Sequence, residues 1–475
     1  MTASGQPHER RLRWLRDAVE AVPEAGGARA AAVAAGLRHA DLFLSYRNNH
    51  PACRVLERLL AALLPASTSR LDMTVAGSYV LREAVLRRLQ ALPQLRVLTL
   101  SESLHVHTNA ALAASGLSAL RRLRSVRAPW VCSDDMALAL ARHCPELEAV
   151  DASESARVTD RGAAALSSAP ALRVAVLSGC RLTPRGYELL LGARPSLQRL
   201  GRVPALGAVV HAAAAAAAGA PLALTEWDSD HAPSAADAAL CPAVASVCLS
   251  DVAVLLDTDG GAPLLPAGVR RLRVSWVGLR DHPAPLRLRL PAALTALDMM
   301  GHMVTVADAV LLGRQCPALR VLKLTTLCQD AAAPVPEHPA KAAPFRHLRE
   351  FHLAGAGPLL EYVLRHAPAL VRLSVTPGLP GDAAVPPWTD ADMRRVVAAN
   401  PLPELESFRL ACPCELTMAT VYLLVLGCPR LRALLDLNEW AVTDEERAEL
   451  LEVAAANNWD LELGLTSGLA VLAAA

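Results

Sequence analysis

Aromatic side chains are scarce in this chain: Phe, Trp and Tyr together make up 3% of 475 residues, against a hydrophobic fraction of 53%. A core must then be built from Leu, Val and Ala, which suits thin stacked layers better than a sandwich or barrel. Excess charge of one sign is also missing. The 47 basic and 46 acidic residues leave a net charge of +1, which argues against nucleic acid or a membrane surface as a partner, since either needs a basic excess or patch. The cysteines form no disulfide framework. There are eleven, an odd number, and Cys144, Cys241, Cys316 and Cys428 each stand directly before a proline. Free thiols point to a cytoplasmic setting, with the nucleus open.

An apolar run of signal-peptide type is absent from the N-terminus. Met1 to Val22 is Arg-rich with a loose apolar stripe, but Glu9, Asp17 and Glu20 speak against a mitochondrial presequence. One uncharged stretch, Val203 to Thr225 with alanines from 212 to 218, has the length of a membrane span. Pro204, Gly207, Gly219 and Pro221 interrupt it, and the expectation is an Ala-rich helix of a soluble repeat. Catalytic signatures are missing as well: there is no G-x-S-x-G, P-loop or H-E-x-x-H. Gly355-Ala-Gly357 lacks the third glycine of a dinucleotide site, and Asp257-Thr-Asp-Gly260 lacks the distal acid of a calcium loop. Cys412-Pro-Cys414 and the pair His105/His107 offer two ligands each, without the second pair that structural zinc requires. No enzyme, cofactor or metal site is expected.

What the sequence does have is a repeat. Leu92-Pro-Gln-Leu-Arg-Val-Leu-Thr-Leu100 carries the skeleton L-x-x-L-x-L behind a proline. The skeleton returns at Leu147, Leu172, Val244, Leu294, Leu319, Leu348, Leu370 and Leu405. Positions 147, 172 and 197 are 25 apart, as are 244, 269, 294 and 319. A fixed spacing in the twenties with this core is the signature of leucine-rich repeats. The expected fold is α/β: a leucine-rich-repeat solenoid with a curved parallel sheet on the concave side and helices on the convex side.

Its expected organisation is an N-terminal helical cap over 1–65, a solenoid over 66–465 and a tail over 466–475. Arg10–Ala21, Ala28–Leu37 and Pro51–Leu64 read as cap helices covering the apolar end of the stack. Helix starts are marked by Thr305-Val-Ala-Asp308, Thr389-Asp-Ala-Asp392 and Thr443-Asp-Glu-Glu446, all of capping-box form. Ser133 and Thr159 carry the same cap without the reciprocal acid. Two spacings are longer, and their extra residues read as surface loops near 329–344 and 376–388.

In its details the repeat resembles the cysteine-containing leucine-rich repeats of F-box/LRR proteins, of ribonuclease-inhibitor-like type. The residues that carry this are His143-Cys-Pro-Glu-Leu-Glu-Ala-Val-Asp151 with Ala156-Arg-Val-Thr-Asp-Arg-Gly-Ala163, and Leu172-Arg-Val-Ala-Val-Leu-Ser-Gly-Cys180 with Arg181-Leu-Thr-Pro-Arg-Gly186. Cys316-Pro-Ala-Leu-Arg-Val-Leu-Lys-Leu324 and Cys428-Pro-Arg-Leu431 repeat the pattern. The resemblance covers roughly 68–463. An F-box is not recognisable in 1–65, where Leu64-Pro65 stands at the wrong end. The resemblance implies a substrate receptor or adaptor in SCF-dependent ubiquitin ligation, with Skp–cullin subunits as further partners. The alternative is a stoichiometric leucine-rich-repeat inhibitor or scaffold unrelated to ubiquitin.

On either reading a protein partner is expected on the outward residues of the strands, because strand side chains alternate faces. The candidates are Glu102, Asp151 and Glu154, which are acidic and early, and Arg271, Arg273, Lys323, His352, Arg372 and Arg409, which are basic or titratable and late.

Overall fold

A computed structural model of the chain describes residues 63–73, 79–100, 110–250, 265–275, 290–300, 304–325, 344–355, 357–377, 387–412, 414–456 and 461–464, with 32, 33, 35 and 60 besides. These fall into two compact units, one within 1–229 plus Ala236–Ala243, the other within 230–235 plus Val244–Ala475. Most of the expected cap lies outside the described residues. From it, Leu60, Leu63 and Leu64 are buried.

The first unit stacks short parallel strands: β1 (Arg70–Asp72), β2 (Val97–Thr99), β3 (Ser125–Arg127), β4 (Ala149–Asp151) and β5 (Val174–Val176), in chain order. A sixth strand, β6 (Glu226–Ser229), follows later in this unit. Across the sheet Leu71, Leu98, Val126, Val150 and Ala175 stand opposite one another, none more than 1% exposed. The residue that enters each strand links to the previous one through the backbone. Arg124 N–H donates to Arg96 O, Glu148 to Arg124 and Arg173 to Glu148, each at 2.8 Å. The strand β3 has no counterpart in the repeat reading above. Its skeleton, Leu123-x-x-Val126-x-Ala128, follows Arg121-Arg122 where the other repeats have proline.

Helices alternate with these strands: α1 (Tyr79–Arg88), α2 (Ala110–Leu117), α3 (Asp134–His143), α4 (Asp160–Leu166), α5 (Pro184–Ala193), α6 (Leu206–Ala216) and α7 (Ala235–Leu240). The uncharged stretch is thus an 11-residue repeat helix, α6, about 16 Å long and half of a membrane's thickness.

The Thr-Asp-x-Gly motif acquires a physical reason here. Ser133 caps α3 by accepting from Met136 N–H, and Thr159 caps α4 by accepting from Arg161 N–H. Asp134, the first residue of α3, reaches the next repeat: the N–H and hydroxyl of Thr159 donate to it at 2.8 and 2.7 Å. Asp160 holds Thr183 in the same way, at 2.8 and 2.6 Å. Each acid sits at a helix N-terminus, where negative charge is favoured, and ties the start of one helix to the next. The glycine makes room for it. A Cβ on Gly162 would lie 2.6 Å from Asp134 Oδ1, and one on Gly186 would meet Asp160 similarly.

The second unit repeats the plan with longer strands: β7 (Ser246–Ser250), β8 (Arg271–Ser275), β9 (Ala296–Met300), β10 (Val321–Thr325), β11 (Glu350–Ala354) and β12 (Arg372–Thr376). After β13 (Trp388–Thr389) come β14 (Ser407–Leu410), β15 (Cys414–Glu415), β16 (Ala433–Leu435) and β17 (Glu462–Gly464). The parallel order is β7-β8-β9-β10-β11-β12-β14-β16-β17, while β13 pairs β15 apart from it. Trp388, at the end of the second long spacing, is buried in that small ladder. Residues 378–386 of this insertion and most of the 329–344 loop lie outside the described residues.

Two core rows run through this sheet. Val247, Leu272, Leu297, Leu322, Phe351, Leu373, Phe408 and Leu434 form one, and Leu249, Val274, Met299, Leu324, Leu353, Val375 and Leu410 form the other. None is more than 2% exposed. The architecture is the expected leucine-rich-repeat solenoid, built of parallel rungs.

The helices of this unit are α8 (Val306–Gln315), α9 (Pro358–His366), α10 (Asp390–Ala399), α11 (Met418–Gly427) and α12 (Asp444–Ala456). The capping boxes form at α8, α10 and α12: Asp308, Asp392 and Glu446 accept from the N–H of Thr305, Thr389 and Thr443 at 2.8–2.9 Å. Cysteine terminates three of the helices, with the N–H groups of Cys144, Cys316 and Cys428 donating to Leu140, Leu312 and Leu424.

Candidate functional site

Between the core positions of each strand stand the residues that the fold turns outward, and seven of the nine candidates lie among them. In the first unit Asp151 shares a row with Asp72, Thr99, Arg127 and Val176. Arg127 Nε reaches Asp151 at 3.3 Å, and the Ser153 hydroxyl donates to the same carboxylate at 2.7 Å. Glu154 leaves the strand exposed, with φ +59°. One repeat earlier Trp130 has φ +69°, and one repeat later Gly179 has φ +70°. The strand exits therefore share a left-handed residue, tied along the stack by Trp130 N–H to Ser153 O (2.9 Å) and Glu154 N–H to Ser178 O (2.6 Å). Only glycine adopts that conformation without cost; elsewhere it stores about 1–3 kcal/mol.

Trp130 is 53% exposed, the most open aromatic of the described residues. It is not among the candidates above, because β3 escapes the repeat pattern. The dipeptide Pro129-Trp130 at a strand exit is the signal that could have found it. Glu102 lies outside the described residues.

In the second unit the late candidates fall into two rows. Arg273, Lys323, His352 and Arg409 lie in one, together with Asp298 and Ser374; Arg271 and Arg372 lie in the other, with Glu350. From Arg273 to Arg409 the row spans five strand steps, about 24 Å at the usual spacing. The bases do not stand as a block. Arg273 pairs Asp298 at 3.0 Å, and Arg372 pairs Glu350 at 2.8 Å.

Arg409 differs in kind. It pairs Asp436, and the two side chains are only 15% and 4% exposed. It is a buried structural pair more than a surface charge. The His352 imidazole is held below its usual range, first by burial and then by Lys323 beside it, so this ring is neutral at neutral pH. Exposed charge on the face thus comes from Arg271, from the half-buried Lys323 and from the paired residues.

Five of the described cysteines are held as thiols. Burial pushes Cys144, Cys241, Cys316 and Cys412 up to about 12, and Cys428 to about 11. Thiolate is the nucleophilic and metal-binding form, so these positions suit packing. The Cys144 and Cys428 thiols point to the carbonyls of Leu117 and Pro401 in the preceding repeat, both at 3.8 Å. Among the described residues no group of three His, Cys, Asp or Glu side chains could hold a metal ion, and no helix is long and apolar enough to cross a membrane. His105 and His107 lie outside them.

No protein-family model matches the chain, and no curated protein matches it. Among solved structures it is similar to a leucine-rich-repeat protein of Leptospira interrogans, at 12% identity and a TM-score of 0.37, over 88% of this chain and 98% of that one. It is also similar to an internalin of Listeria monocytogenes, at 13% identity and a TM-score of 0.35, over 81% of this chain and 95% of that one. At these scores the architecture is read from the strand register itself.

Proposed function

We propose that the chain is a non-enzymatic protein-recognition module that binds its partner on the outward rows of its strands. The observation that carries this reading is Trp130, an exposed aromatic kept in a left-handed conformation, its N–H donating to the Ser153 carbonyl next to Glu154. Strain of this sort persists where surrounding structure enforces it and clusters at functional sites. Tryptophan is also over-represented among the residues that dominate binding energy. The half-buried Lys323 and His352, with the Arg273–Asp298 and Arg372–Glu350 pairs, offer the second unit's rows as further recognition surface. We further propose a role as substrate receptor or adaptor in ubiquitin ligation, a step that rests on the Cys-containing repeat alone.

Affinity capture with wild type, Trp130→Ala and Lys323→Asp tests both levels. Recovery of a protein partner by wild type, lost in either variant without a change in melting temperature, is the expected result. A partner retained at full strength by both variants would overturn the strand-face reading. Capture without any Skp- or cullin-type subunit would remove the ligase part and leave a scaffold or stoichiometric inhibitor.

A further inference from the structure

The helical side of the second unit carries a surface that strand-face recognition does not use. Helix α11 reads Met418-Ala-Thr-Val-Tyr-Leu-Leu-Val-Leu-Gly427, without a single charge. Its inner face is satisfied by Thr420, Val421 and Leu424, all buried. Its outer face exposes Ala419, Tyr422 and Leu426, with Leu426 77% open and Tyr422 38%. Positions i, i+3 and i+7 form one stripe along a helix. On α12, exposed Ala448, Leu451 and Ala455 repeat the stripe, with Leu451 46% open.

The flanks carry opposite charge. On α10 the acids are turned inward to structural bonds: Asp390 accepts from Thr417 and Thr420, and Asp392 from Thr389. Arg394 and Arg395 are left on the exposed side, Arg395 sharing contacts with Asp392 and Glu361. On α12, Arg447 is drawn to Asp444, leaving Glu445, Glu449 and Glu452 exposed. The three helices start level. Asp390 holds the α11 cap residue Thr417, and the α12 entry is tied by Ala441 N–H to Leu416 O at 2.9 Å.

A surface that is basic on one side, apolar in the middle and acidic on the other complements itself under a two-fold rotation. We infer that this face docks a second copy of the chain, with the two-fold axis running along α11. That axis sets α11 on α11 and lays α10 of each copy against α12 of the other, Arg394 facing Glu449 and Glu452. An axis across the helices would set α10 on α10 and α12 on α12, like charge on like. Isologous dimers of this kind are the commonest oligomers. Helices about 15 Å long give a face at the small end of stable interfaces, where about 800 Å² per partner is typical. The dimer should therefore depend on concentration and weaken with salt.

Sedimentation velocity on the full chain over a concentration series tests this. Wild type should pass from monomer to dimer, and Leu426→Asp should stay monomeric with its melting temperature kept. Arg394→Glu alone and Glu449→Arg/Glu452→Arg alone should each weaken self-association at least tenfold, while a mixture of the two forms a heterodimer. A wild-type chain that is monomeric at every concentration overturns the proposal, including one whose α11 face binds another protein instead. So does a dimer indifferent to Leu426→Asp, and a charge-variant mixture that fails to associate rejects the assigned axis.

Discussion

At the scale of single residues, the repeat's punctuation is chemistry between neighbours. Gly162 sits where Asp134 of the preceding repeat leans over the start of α4. Gly162→Ala should displace that carboxylate and cost about 1–3 kcal/mol, the usual penalty of overpacking, read as a lower urea midpoint at unchanged slope. Ala137→Gly, which opens space beside it, serves as the contrasting variant. The capping cysteines make a pH prediction. The thiols of Cys144 and Cys316 are raised by burial to about 12 from an ordinary 9.0, so the folded chain keeps a proton that the unfolded chain releases first. Their contribution is whole below pH 9 and is lost as the pH climbs from 9 toward 12. Cys316→Ala should flatten the alkaline fall of stability measured by urea melts, and a thiol reagent should modify Cys144 and Cys316 only after unfolding.

Elements are where charge was hardest to read from sequence. Arg409 has the strand register of a surface base, yet its partner Asp436 is 4% exposed and itself left-handed at φ +61°. Arg409→Ala leaves that acid buried and unpaired, which should cost about 3–5 kcal/mol. Arg409→Met/Asp436→Asn should cost less, since asparagine tolerates the left-handed region. Equal losses for the single and double variants, by denaturant melts, would show that the pair does not act as a unit. Sequence periodicity marked Arg409 as outward and stopped there, because Asp436 reaches it from the following strand exit, 27 residues on. The missed β3 has the same origin. Its Val126 is fully packed, but a repeat without proline and with Ala128 in its last core position is faint as a pattern.

Across the whole molecule, stability should pass from repeat to repeat, since each rung touches only its neighbours. Leu322 is fully buried between Leu297 and Phe351, and burying such a side chain contributes about 1.5–3 kcal/mol. Leu322→Asp should therefore speed hydrogen exchange most in β9, β10 and β11, with the effect fading toward β17. Lys323→Asp, one residue on, should leave exchange unchanged and alter only partner binding. Equal exchange in both variants would contradict the register.

Aliphatic spacing, proline placement and Thr-Asp caps determined the leucine-rich-repeat architecture on their own, because each states a local rule that every rung obeys. Which outward residues are open, which are paired and which are strained was decided only when the rungs were stacked. Trp130, Arg409 and the α11 face take their character from groups a repeat away, and burial and electrostatics depend on distance in space, which the order of residues along a chain does not carry.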